Sequence, residues 1–144
     1  MSYYDDGLDK IFLAEAAFSA ARYKACVFMC CQAVDVFLKQ KLSEIDPLSE
    51  YEEKHEFVPV YSKISSVYKS KTDLAPIMRK CRKYYRESGY SGRSNKVDPA
   101  VYTKEFAQQF LGYVKAVKAY IDNECSAGFQ GLIDKYGKNA PKLD

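Results

Sequence analysis

The sequence predicts an all-α protein, an antiparallel up-and-down bundle of four to five main helices with a short extra helix at its C-terminal end. Three observations lead there. Apolar residues recur at spacings of three and four along most of the 144 residues, and no stretch alternates with period two. Before residue 86, glycine and proline occur only at Gly7, Pro47, Pro59 and Pro76, which leaves long segments without helix breakers. The breaks between those segments are short, and short connections make successive helices antiparallel neighbours.

The first helix is predicted from about Asp5 to Ala20. Leu8, Ile11, Phe12, Glu15 and Phe18 set an apolar packing stripe beside a polar one. The second, about Arg22 to Leu42, is apolar around most of its circumference: Cys26, Val27, Met29, Cys30, Ala33, Val34, Phe37, Leu38 and Leu42. It is therefore predicted to be the most buried. Gln32, Asp35 and Lys39 interrupt it at i, i+3 and i+7, a single polar line that needs partners. Residues 43–53 form an acidic loop that breaks at Pro47.

The third helix, about His55 to Tyr68, turns Phe57, Val60, Tyr61, Ile64, Val67 and Tyr68 inward, and Pro59 is tolerated in its first turn. The fourth starts near Thr72 or Asp73, both good caps, and carries Leu74, Ile77, Met78, Cys81, Tyr84 and Tyr85. It ends in a Gly- and Ser-containing loop between Arg86 and Val97. Asp98-Pro99, or Thr103 one turn later, opens a fifth helix from about 100 to 123 with Phe106, Phe110, Val114, Val117 and Ile121 as its core stripe. Phe129, Leu132, Ile133 and Tyr136 mark a short helix over 126–136. The bundle is thus placed at 1–124, and 125–144 as a short helix and flexible tail.

Composition, 47% apolar and 28% charged, is that of an ordinary globular domain. The longest apolar run, Ala25 to Cys31, is far too short to span a membrane. The acidic start Met1-Ser2-Tyr3-Tyr4-Asp5-Asp6 has nothing of a secretory signal, so a cytoplasmic location is expected. Five cysteines, at 26, 30, 31, 81 and 125, have neither metal-ligand spacing nor a disulfide pattern and are expected to be small core residues. Charge is uneven: residues 1–68 carry −4 and residues 69–118 carry +8, within a total of +3. Such asymmetry is the mark either of a face for phosphate-bearing partners or of a solvated lysine-rich helix.

Three segments in order, Tyr23 to Lys39 with its Gln32–Asp35–Lys39 seam, His55-Glu56-Phe57-Val58-Pro59-Val60-Tyr61, and Tyr84-Tyr85-Arg86-Glu87-Ser88-Gly89-Tyr90 followed by Tyr102-Thr103-Lys104-Glu105, resemble the HEPN family of helical bundles. That family includes substrate-binding subunits of minimal nucleotidyltransferases and toxin ribonucleases. The resemblance covers about residues 8–122, and its most specific part is the second helix. It implies homodimers, and it implies a nucleotide, an RNA or a partner protein, such as a nucleotidyltransferase, as ligand.

The resemblance fails where the family's ribonucleases carry an arginine followed within a few residues by a histidine. Arg79, Arg82, Arg86 and Arg93 are present, but the only histidine is His55. In many non-nuclease relatives an arginine precedes the tyrosine aligned with Tyr90, and here that place is Gly89.

The candidate binding residues are accordingly Gln32, Asp35, Lys39, Arg82, Tyr85, Arg86, Tyr90 and Arg93. In the functional reading Asp35 orients an arginine or tyrosine from the end of the fourth helix. In the structural reading the seam ties the second helix to a neighbour. Arginines paired with phosphate and tyrosine rings stacked on bases suit a nucleotide. His55 is the one side chain of near-neutral ordinary pKa; at the head of the third helix it is read as a structural or capping residue, and as an acid–base group only if the protein is an enzyme. No Gly-rich phosphate loop, Ser-His-Asp set or metal motif occurs, and no cofactor is expected. The sequence therefore favours a non-catalytic module that binds through the seam and the basic helix end. The alternatives are an RNA endonuclease toxin of a toxin–antitoxin pair, or its degenerate descendant, and a purely structural interaction protein.

Overall fold

In the computed structural model, residues 2–51, 54–89 and 97–125 are described. Their elements are α1 (Tyr3–Ser19), α2 (Tyr23–Ile45), α3 (Phe57–Val67), α4 (Ala75–Gly89), a 3-10 turn (Pro99–Val101), α5 (Lys104–Ala119) and a closing π turn (Tyr120–Glu124). Among the described residues there is no strand, and no helix is long and apolar enough to cross a membrane. The all-α bundle is as predicted. The short helix expected over 126–136 lies outside the described residues.

Cap chemistry explains where several ends fall. Ser2 accepts the Asp5 amide and starts α1 two residues earlier than expected. At its other end the amide of Arg22 reaches the Ala17 carbonyl and that of Ala21 the Phe18 carbonyl. This is a Schellman ending. It puts Ala21 at φ 57°, a left-handed position that costs a non-glycine residue about 1 kcal/mol. The fifth helix is divided where one was predicted, because both candidate caps act. Asp98 accepts from Ala100 to close the 3-10 turn, and Thr103 accepts from Phe106 to start α5.

α2 touches α1, α3, α4 and α5 and is buried on most sides, as its composition requires. Phe37, Leu38, Leu42, Ile64, Met78, Phe110, Val117, Tyr120 and Ile121 make the centre of the core. A train of rings, Tyr84, Phe106, Phe110 and Tyr113, runs between α4 and α5 at centroid spacings of 4.9 to 5.1 Å. These edge-on and tilted contacts are the favourable ones for aromatic quadrupoles. The linker between α3 and α4 is fastened by tyrosine hydroxyls: Tyr61 accepts the Leu74 amide, and Tyr120 donates to the Tyr68 carbonyl. These bonds satisfy linker backbone groups inside the bundle.

α1 packs by a face rotated from the predicted one, which keeps Ile11 and Phe18 against the core but not Leu8 and Phe12. Gly7 and Ala14 are its buried residues, flanked by Tyr4, Ile11, Ala17 and Phe18, while Leu8, Phe12 and Leu13 are 40%, 72% and 44% exposed. The cause is Gly7. A Cβ there would sit 2.6 Å from the ring of the fully buried Phe37, so α1 lies against α2 at a distance only glycine allows. The small-residue face goes inward, and Leu8 and Phe12 turn out.

Gly7→Ala is expected to lower the melting temperature, since overpacking a core costs about 1–3 kcal/mol against the roughly 1 kcal/mol alanine gains in a helix. An unchanged or higher melting temperature would show that Phe37 moves aside freely.

Candidate functional site

The polar seam of α2 finds its partner 20 residues further along the chain. Asp35 and Lys39 are each 7% exposed, and Gln32 is half-buried one turn earlier. A carboxylate so deep needs compensation. Oδ2 of Asp35 takes both Lys39 Nζ at 3.1 Å and His55 Nδ1 at 3.0 Å. Because a carboxylate only accepts, Nδ1 of His55 carries the proton, and Nε2 is the other, separate nitrogen of the ring. His55 precedes α3 and does not cap it. Its ring instead bridges the seam to α4, stacking on Tyr85 with centroids 4.7 Å apart and planes 29° from parallel. Tyr85 is itself 8% exposed and packs on Phe28 and Phe57.

Four predicted residues thus meet at one place: Asp35, Lys39, His55 and Tyr85. Asp35 reaches the fourth helix through an imidazole rather than by holding one of its arginines. Arg82 and Arg86 make no bond in this knot and are exposed on α4, as are Arg79, Lys80 and Lys83. Tyr90 and Arg93 lie outside the described residues.

An imidazole fixed by a carboxylate is either a proton-transfer group or a rigid contact surface. Proton-transfer chemistry on an ester of phosphoric acid also needs a cation free to meet developing charge. Lys39 is not one, since it is buried on Asp35.

The other titratable clusters are accounted for by packing. All five cysteines are free thiols and buried. Burial pushes the Cys31 thiol well up and that of Cys125 to about 11, while the Cys26–Cys30 hydrogen bond raises Cys30 and lowers Cys26. Cys30, Cys31 and Cys125, held protonated in this way, are weak nucleophiles and metal ligands. No group of three His, Cys, Asp or Glu among the described residues is placed to hold a metal ion.

One polar cluster has no signature in the sequence. Tyr4 donates to Asp122 at 2.8 Å, Lys118 bonds the same carboxylate at 2.6 Å, and Gln40 joins the Tyr4 amide to Glu44. Tyr4, Gln40, Glu44 and Asp122 line an open cleft of about 210 Å³ with Lys41 and Ile121. They satisfy one another, so the cluster serves to pin α1 and the π turn to α2. Nothing in the spacing of residues 4, 40 and 122 announces it.

A family model described as the HEPN domain matches residues 3–124. Neither the curated proteins nor the solved structures contain a match to the chain.

Asp35→Asn is expected to destabilise the protein by roughly 3 kcal/mol in urea denaturation, because it leaves the Lys39 ammonium buried without its counter-charge. Replacing both partners, Asp35→Leu with Lys39→Met, should recover most of that stability. A single variant as stable as the parent would mean that Lys39 escapes to water.

Proposed function

The chain belongs to the HEPN domain family, and we propose that it serves as a non-catalytic binding module whose ligand, a nucleotide or an RNA, lies along the outward face of α4. One observation carries this reading. Arg79, Lys80, Arg82, Lys83 and Arg86 are all exposed, and none forms an ion pair with a described residue. Arg79, Arg82, Lys83 and Arg86 follow one another at i, i+3, i+4 and i+7, one stripe of a helix. Glu87 is the only acid within α4.

Cations crowded this way repel one another, and an anionic ligand relieves that repulsion. Lys80 and Lys83 lie 6.0 and 5.2 Å from the ring of Tyr84, which steadies them without neutralising them. An acidic partner protein, such as a nucleotidyltransferase, is the competing occupant of the same face. Five free buried thiols fit a reducing compartment, which supports placing the protein in the cytoplasm.

The apolar side of α1 supports a second feature, a homodimer. Phe12, at 72% exposure, with Leu8 and Leu13 beside it, forms a patch whose burial against a second copy would remove large apolar side chains from water.

Replacing Arg79, Arg82 and Arg86 by glutamine should weaken nucleotide or RNA binding while leaving the melting temperature unchanged. It should also flatten the dependence of log affinity on log salt by about 2, because each phosphate neutralised on a single strand contributes roughly 0.7 to that slope. Parent-like binding by the triple variant would leave α4 a merely solvated face. Light scattering at micromolar concentration should show a dimer, and Phe12→Asp should convert it to monomer. A parent that is monomeric throughout would remove the dimer.

A further inference from the structure

Tyr85 is the ring that the sequence offers to a stacked base, yet it is 8% exposed and lies beneath the imidazole of His55. The aromatic surface that reaches solvent at this place is therefore His55, whose side chain is 45% exposed. One edge of that ring is engaged at Nδ1 by Asp35, and one face is covered by Tyr85. The exposed surface is what remains, the opposite face and the edge bearing Nε2.

Rotation of the ring is opposed on two sides. The carboxylate that holds Nδ1 is itself anchored by Lys39 within the wall of α2, and Tyr85 is wedged against Phe28 and Phe57. A ring held this way has little conformational freedom left to lose when a ligand settles on it. Cations adjoin it. Arg86 follows Tyr85 directly, and Arg82 lies one turn before Tyr85, offset by about 60° around the helix.

We propose that the outer face of His55 is a stacking platform for an unpaired nucleobase, so that the ligand class of the basic face is single-stranded nucleic acid. This rests on the reading of α4 as a phosphate-binding face and specifies what binds there. A flat, fixed ring stacked on the helix that carries a row of cations matches the alternation of base and phosphate along a single strand. A duplex keeps its bases stacked within itself and presents phosphates alone to this surface. A base of any identity has a face to stack, so the platform selects for unpaired strand without selecting for sequence.

The test compares an unstructured RNA ten-mer with a duplex of the same length, each labelled and titrated with the full chain. The parent should prefer the single strand. His55→Ala should weaken single-strand binding roughly ten- to hundredfold, the worth of one stacked base, and change duplex binding less than twofold. His55→Phe retains a flat ring while removing the bond to Asp35, and it should restore most of the single-strand affinity. Thermal melts of both variants establish that they are folded.

Equal weakening on both ligands after His55→Ala, or a phenylalanine variant as weak as alanine, would overturn the platform in favour of a polar contact by the imidazole. Binding that disappears when Arg79, Arg82 and Arg86 are replaced but is untouched by His55→Ala would overturn the platform alone. No binding of either ligand by the parent would overturn the phosphate-binding reading, and the platform with it.

Discussion

A carboxylate in the wall of the most buried helix has to be compensated, and much of this molecule's arrangement around α2 follows from how Asp35 is. An isolated charge at 7% exposure is too costly to keep. Lys39, one turn away on the same helix, supplies charge but no link to another element. His55 supplies that link. It draws the start of α3 onto α2, fixes which nitrogen of the imidazole carries the proton, and sets the ring over Tyr85 of α4. A single oxygen, Oδ2 of Asp35, therefore helps position three helices. The same bond makes the histidine a fixed surface where an exposed imidazole would otherwise sample several rotamers.

A second constraint works from the opposite side of α2. The close approach of Gly7 to Phe37 decides which face of α1 is inside. That choice has an energetic consequence, since a buried leucine or phenylalanine stabilises by about 1.5–3 kcal/mol and α1 leaves Phe12 largely, and Leu8 and Leu13 partly, in water. The helix is held instead by backbone proximity, by the Tyr4–Phe37 ring contact at 5.5 Å and by the polar cluster of Tyr4, Gln40, Lys118 and Asp122. Both constraints use α2 as the reference against which other elements are placed. One leaves an apolar patch on the surface, and the other leaves an oriented ring beside a basic helix.

The basic helix obeys different physics. Its inward side, Met78, Cys81, Tyr85 and Ser88, is specified by packing, whereas its arginines and lysines form no ion pair with a described acid. Nothing in the packing of the bundle requires five cations there. The helix that carries them also carries Tyr85, on which His55 stacks.

The sequence by itself determined the helices, their order and the identity of the buried one, because a 3.6-residue apolar period is a local property that any bundle must satisfy. It also determined the caps at Asp98 and Thr103, since a cap acts over three residues. It revealed the Gln32–Asp35–Lys39 line and the cationic stripe of α4, both repeated within a few turns of one helix.

Only the tertiary structure decided what those features face. The bond from Asp35 to His55 and the stack of His55 on Tyr85 join residues 20 and 30 positions apart, and no local period encodes either. The inward side of α1 differs in part from the predicted one for the same reason, keeping Ile11 and Phe18 but not Leu8 and Phe12. Apolar spacing favours Leu8 and Phe12, but the deciding quantity is the room beside Phe37, and that exists only once α1 and α2 lie together.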